Sequence, residues 1–102
     1  MCSSDLGLVD GNGILWSARG NGSMLRFDPA TMTGTCTGAP VDGYGLGVDP
    51  ASGHIWHSSL TGNRIYEFDP AGNMLNTFGH GTYYAQGVAV DAAGNVWVAG
   101  SL

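Results

Sequence analysis

Apolar residues in this chain come in short bursts divided by Gly, Asp, Asn and Pro, and no stretch carries the 3.6-residue period of an amphipathic helix. The bursts have the length of strands. Ile14-Leu15-Trp16-Ser17, Ile55-Trp56-His57-Ser58 and Val96-Trp97-Val98-Ala99 form one series. Met24-Leu25-Arg26-Phe27 and Ile65-Tyr66-Glu67-Phe68 form a second. Gly45 to Asp49 and Gly87 to Asp91 form a third; Met74 to Phe78, with Gly34 to Thr37 as a weaker counterpart, forms a fourth. Between them lie turn signals. Asp10-Gly11-Asn12-Gly13, Asp49-Pro50-Ala51-Ser52-Gly53 and Asp91-Ala92-Ala93-Gly94 open with Asp, whose carboxylate can accept from the backbone two residues on. They close with Gly, which takes positive φ without a steric cost. Asp69-Pro70-Ala71-Gly72 has the residue order of a type I turn. Short strands joined by hairpin-sized turns predict an antiparallel meander.

The pattern repeats. Trp16, Trp56 and Trp97 stand 40 and 41 residues apart, and Phe27-Asp28-Pro29-Ala30 returns 41 residues later as Phe68-Asp69-Pro70-Ala71. A Val-Asp pair precedes each tryptophan, at Val9-Asp10, Val48-Asp49 and Val90-Asp91. Three markers share one period, the signature of a repeat architecture. Segments such as Val96-Trp97-Val98 are apolar on both faces, as a sheet packed between two others requires and a sandwich sheet with one wet face does not. The predicted fold is therefore all-β: an incomplete β-propeller of four-stranded antiparallel blades repeating about every 41 residues. The blades are placed at 7–43, 44–85 and 86–102, the last truncated.

Gln86-Gly87-Val88-Ala89-Val90-Asp91-Ala92-Ala93-Gly94-Asn95-Val96-Trp97-Val98-Ala99 resembles an NHL-type propeller repeat, and Asn63 to Gly72 matches the second half of that repeat. The tryptophan-bearing strand is also similar to blades of the streptogramin (virginiamycin B) lyase group. The resemblance covers Gly7 to Leu102 and implies a propeller of the six-bladed kind, which serves binding, scaffolding and catalysis alike. No lyase site carries over. The chain has one glutamate, Glu67, where the first copy has Arg26.

Composition narrows the picture. Three arginines, no lysine and eight acids give a net charge of -5, which excludes a basic nucleic-acid footprint and disfavours an anionic membrane surface. No apolar run is long enough to span a bilayer as a helix. The low lysine content and abundant Gly, Asn, Ser and Thr lean toward a bacterial, extracytoplasmic or secreted setting. Cys2 and Cys36 are too sparse for a disulfide framework and lack zinc-ligand spacing, so Cys36 reads as a small packed strand residue. Residues 1–6, Met1 to Leu6, have no counterpart in the repeat. The end of a common sequencing adapter, read from a GTG start, encodes this string, so the segment is expected to be non-native and the whole a fragment of environmental DNA.

Candidate chemistry is thin. Asp10-Gly11-Asn12-Gly13 begins like a calcium loop, but Ile14 stands where a third oxygen ligand is needed. Because an Asp opens the turn in every copy, these acids are expected to hold blades together. His54 and His57, three apart, fall on opposite faces of a strand and cannot share a metal; His57 is expected to be packed or at the rim. The loops that differ between copies lie at one end of the meander, which is where variation on a constant scaffold places recognition. They supply the candidate binding residues Arg19, Asp42, Tyr44, Asn63, His80, Tyr83, Tyr84 and Gln86. No catalytic residue, metal set or cofactor is implied. The leading reading is a ligand- or protein-binding propeller domain of a larger protein, with a small molecule or protein as partner and the remaining blades beside it. The alternatives are a lyase- or lactonase-type enzyme with a metal at the central axis, to which only His80 and Asp42 contribute here, and a secreted adhesion module. A chain of two and a half blades leaves wet end faces and is expected to be marginal or aggregation-prone.

Overall fold

The computed structural model describes residues 6–18, 23–38, 43–59, 62–79 and 85–100. Among these are ten strands and no helix. β1 (Leu6–Val9), β2 (Leu15–Ala18), β3 (Ser23–Asp28) and β4 (Thr33–Gly38) form one antiparallel sheet in sequence order. β5 (Gly43–Val48), β6 (Ile55–Ser59), β7 (Arg64–Phe68) and β8 (Met74–Gly79) repeat it. β9 (Ala85–Val90) and β10 (Val96–Gly100) form a two-stranded third sheet. The strand expected to be weakest, β4, spans six residues and is as long as its counterpart β8.

The local reasons are those of the turns. Gly13, Gly53, Gly72 and Gly94 all take positive φ, between 75° and 97°. The turn after β3 lacks a glycine, and exposed Met32 takes the left-handed conformation there at φ 54°.

The sheets stack face to face. β5 lies against β1 and β2, and β9 lies against β5 and β6. Alternation along the strands gives each sheet two apolar faces. The face of the first sheet that carries Trp16 and Met24 meets the face of the second that carries Ile55, Tyr66 and Phe68, with Leu8, Leu46 and Val48 at the margin. Burying each such side chain contributes about 1.5–3 kcal/mol, so this seam is the main source of stability. Arg26 closes its edge: the guanidinium lies 5.6 Å from the centre of the Trp16 ring, and Nε donates to the Pro70 carbonyl at 2.9 Å. The turn behind Pro70 sits so close that a methyl on Gly72 would come within 2.8 Å of Thr37 Cγ2.

Candidate functional site

The two ends of the stacked sheets differ in chemistry. At one end are the Asp turns. Asp10 Oδ1 accepts from Asn12 N (2.8 Å) and Ile14 N (3.0 Å), and its Oδ2 accepts from Trp16 Nε1 (2.8 Å). Asp91 repeats the set with Ala93 N, Asn95 N and Trp97 Nε1. Asp69 does so without the indole, taking Ala71 N and Asn73 N. The middle blade's first turn is one residue longer, since Asp49 N reaches His54 O where Asp10 N reaches Ile14 O. There Asp49 accepts from Ala51 N, and Trp56 stacks on Phe78 instead, 5.9 Å between centroids. These acids were expected to hold blades together. Each instead ties a turn to its own blade, because a carboxylate at the first turn position is satisfied by the backbone immediately after it.

The bonds have a measurable electrostatic consequence. Hydrogen bonds favour the ionised carboxylate, and the Trp97 indole, ahead of Asn95, holds Asp91 down to about 2. Asn73 lowers Asp69 in the same direction. A carboxyl with a depressed folded pKa adds stability above its unfolded value, near 4, and that stability is lost as pH falls through the folded value. The third-blade turn is therefore expected to loosen between about pH 4 and pH 2. Carbon-13 NMR of the Asp91 carboxyl should show a midpoint well below that of an ordinary aspartate, and Trp97→Phe should raise it. A midpoint unchanged by Trp97→Phe would show that the indole is not the cause.

Two polar pairs mark the middle blade. His54 Nδ1 meets Glu67 Oε2 at 2.7 Å, and Asn76 Nδ2 donates to Glu67 Oε1 at 2.9 Å. His57 faces the other side of β6 and is fully buried, its ring edge-on to Tyr66 at 6.4 Å and tilted against Phe68 at 6.3 Å. It is packed against Gly43, where a methyl group would fall 1.4 Å from His57 Nε2.

The opposite end carries the described members of the candidate binding set. Arg19, Asp42, His80, Tyr83 and Tyr84 lie outside the described residues. Of the rest, Tyr44 and Gln86 hold matching places near the start of β5 and β9, and both are exposed. The two strands are adjacent, and a methyl on Gly45 would come 2.4 Å from Gln86 O. Asn63 is exposed and left-handed (φ 53°) in the loop between β6 and β7, one strand further from the innermost edge.

Sequence reasoning missed how this end is built. The pairing of β5 with β6 shifts register between Gly43 and Leu46, and that of β10 with β9 shifts between Ala99 and Gly100. Each shift is a β-bulge at the head of an innermost strand, at Tyr44-Gly45 and at Gln86. Ser58 stitches the seam: its Oγ accepts from Gly45 N at 3.0 Å and donates to Ala85 O of the next blade at 3.2 Å. The third-blade counterpart of Ser58 is Ala99, so a serine confined to the middle copy was the one available signal. Cys36 needs correction. It is exposed on β4 rather than packed, and it is disulfide-bonded rather than a free thiol. Its place on the outermost strand explains the exposure.

No protein-family model and no curated protein matches the chain. Solved structures do. Hydrazine synthase of Kuenenia stuttgartiensis superposes with a TM-score of 0.83 over 93% of this chain at 16% identity. A streptogramin B lyase gives 0.78 over 90% at 18% identity. The Swd1 (Cps50) β-propeller domain of Myceliophteria thermophila gives 0.71 over 88% at 16% identity. The fold is thus that of a β-propeller. The chain spans 28%, 32% and 30% of the lengths of those three chains.

Proposed function

We propose that this stretch of propeller is a recognition element, presenting its loop end to a small-molecule or protein ligand while its turn end is structural. The observation that carries the reading is the bulge repeated at the head of β5 and β9. Bulges re-aim side chains at barrel rims and beside binding sites, and here they fall on Tyr44 and Gln86. Both residues are exposed, they differ between copies, and they stand on adjacent innermost strands. A phenol beside a carboxamide supplies an apolar face with two donor–acceptor groups, a combination suited to neutral, hydrogen-bonding ligands. The turn end, by contrast, uses its carboxylates on its own backbone.

A second reading, a propeller enzyme with a metal at the axis, draws on the likeness to a streptogramin B lyase and a hydrazine synthase. Among the described residues no three His, Cys, Asp or Glu side chains come together, and no step is assigned to a metal.

The test is amide NMR of the chain against a soluble fragment library of aromatic, amide and sugar compounds. Shift changes should gather at Tyr44, Gln86 and Asn63, and Tyr44→Ala with Gln86→Ala should weaken the tightest fragment about tenfold, equivalent to about 1.4 kcal/mol. Changes gathered at the Asp turns, or untouched by the double substitution, would sink the proposal.

A further inference from the structure

Near the start of β5 two residues face one. Gly43 pairs with Ser59 and Leu46 with His57, so Tyr44 and Gly45 together oppose Ser58. The third blade is tighter at the same place: Gly87, the counterpart of Gly45, pairs with Ala99, and Gln86 alone is extruded. In the first blade β1 pairs with β2 without a shift as far as Leu6 and Ala18. Ala18, Ser58 and Ala99 hold one position in the three copies, so the wider bulge coincides with the hydroxyl. A hydroxyl accepts and donates through one atom, which an alanine methyl cannot do. Ser58 Oγ takes the N–H of Gly45 and gives its own proton to the carbonyl of Ala85 in the next blade. Ser58 and Ala85 are fully buried and Gly45 is buried beside them, so both bonds are closed to water. The approach depends on glycine: a methyl on Gly45 would lie 2.4 Å from Gln86 O and 2.8 Å from Ser58 Oγ.

We infer that Ser58 is a positioning residue, which holds Tyr44 of the second blade and Gln86 of the third as one rigid patch. The two groups that its hydroxyl joins are the sequence neighbours of those two residues, Gly45 beside Tyr44 and Ala85 beside Gln86. By taking the Gly45 N–H, the hydroxyl holds Gly45 as well as Tyr44 out of the register with β6, and this widens the bulge that aims Tyr44. By donating to Ala85 O it fixes β9 against β5 at the point where both exposed side chains leave their strands. Ser58 is 0% exposed, so it acts through the two strands and not on a ligand. The ligand that such a patch suits touches both blades at once, with an apolar surface against the Tyr44 ring and a hydrogen-bonding group toward the Gln86 carboxamide. This role rests on the recognition reading for its ligand, but the geometry it asserts is measured without one.

The test is amide hydrogen exchange and nitrogen-15 relaxation of the chain and of Ser58→Ala. In the unaltered chain the Gly45 amide, although it stands outside the strand register, should exchange as slowly as the paired amides of β6. Ser58→Ala should speed that exchange by about tenfold to a hundredfold, the factor that a lost bond to a buried donor carries. The backbone order of Tyr44 and Gln86 should fall together, from the rigid value of about 0.85 toward about 0.6. Amides of β2 and β3 should keep their order, which separates positioning from a general loss of stability. The aromatic or amide fragment that binds most tightly at Tyr44 should bind Ser58→Ala about fivefold more weakly. Fast exchange of Gly45 in the unaltered chain would overturn the inference, whether or not Ser58→Ala folds. Unchanged order at Tyr44 and Gln86 in the variant, or equal loosening of every strand, would overturn it too. Joint loosening of Tyr44 and Gln86, with no fragment bound by either form, would uphold the positioning role and sink the recognition reading instead.

Discussion

Gly43→Ala is expected to lower the stability of the chain by about 2–4 kcal/mol, a fall in Tm on the order of 10–20 °C for a domain of this size. The added methyl would fall 1.4 Å from His57 Nε2 and 2.1 Å from Cε1. His57 cannot swing away freely, since it is fully buried between Gly43, Tyr66 and Phe68. The third blade shows how the same site accepts a methyl: Ala85 and Val98 stand where the middle blade has Gly43 and His57. Small beside large has become medium beside medium, the volume-conserving exchange that packed cores tolerate best. His57→Val should therefore rescue Gly43→Ala. Urea unfolding of both single variants and the double variant should give a coupling of about 1–3 kcal/mol favouring the pair. Additive losses would show that Gly43 is required for a reason other than the imidazole.

The second large effect is expected at Asp10. Its carboxylate accepts from Ile14 N and from Trp16 Nε1, and both donors are buried. Asp10→Ala leaves them without an acceptor in a place water does not reach, Trp16 being 0% exposed. Each orphaned donor costs about 1–3 kcal/mol, so the variant should lose about 2–5 kcal/mol. Asp10→Asn keeps one carbonyl oxygen but forces a choice between the backbone and the indole, and should fall between. The control is Asp91→Ala, which removes the same set of bonds from a tryptophan that is 64% exposed. Water replaces the lost acceptor there, and the change should be much smaller. Equal losses at Asp10 and Asp91 would mean that the turn alone, and not burial of the indole, sets the cost.

The repeat was legible because its markers are local. An Asp–Gly turn, a Phe-Asp-Pro-Ala tetrad and a tryptophan two residues into a strand depend on neighbours within about ten positions, and all lie where the spacing placed them. Apolar residues on both faces of Val96-Trp97-Val98 correctly announced stacked sheets. The errors came where a residue's partner is distant or its strand is at the outside. Cys36 alternates like a core position, but β4 is the outermost strand of its sheet and the residue is exposed there. The turn aspartates were read as links between blades because every copy has one. Recurrence identifies a structural role without saying which groups the carboxylate meets.

Strand number, order along the chain, turn chemistry and the 41-residue period follow from the amino-acid order alone, since each rests on short-range hydrogen bonding and alternation. Whether Tyr44 and Gln86 become neighbours does not, because residues 42 apart meet only when β9 docks on β5. The same docking decides that Ser58 bridges two blades, that glycine at 43 makes room for His57, and that Trp16 is buried while Trp97 is bare. Packing of one sheet on the next is a matter of which faces come together, and no single repeat specifies the neighbour its faces will meet.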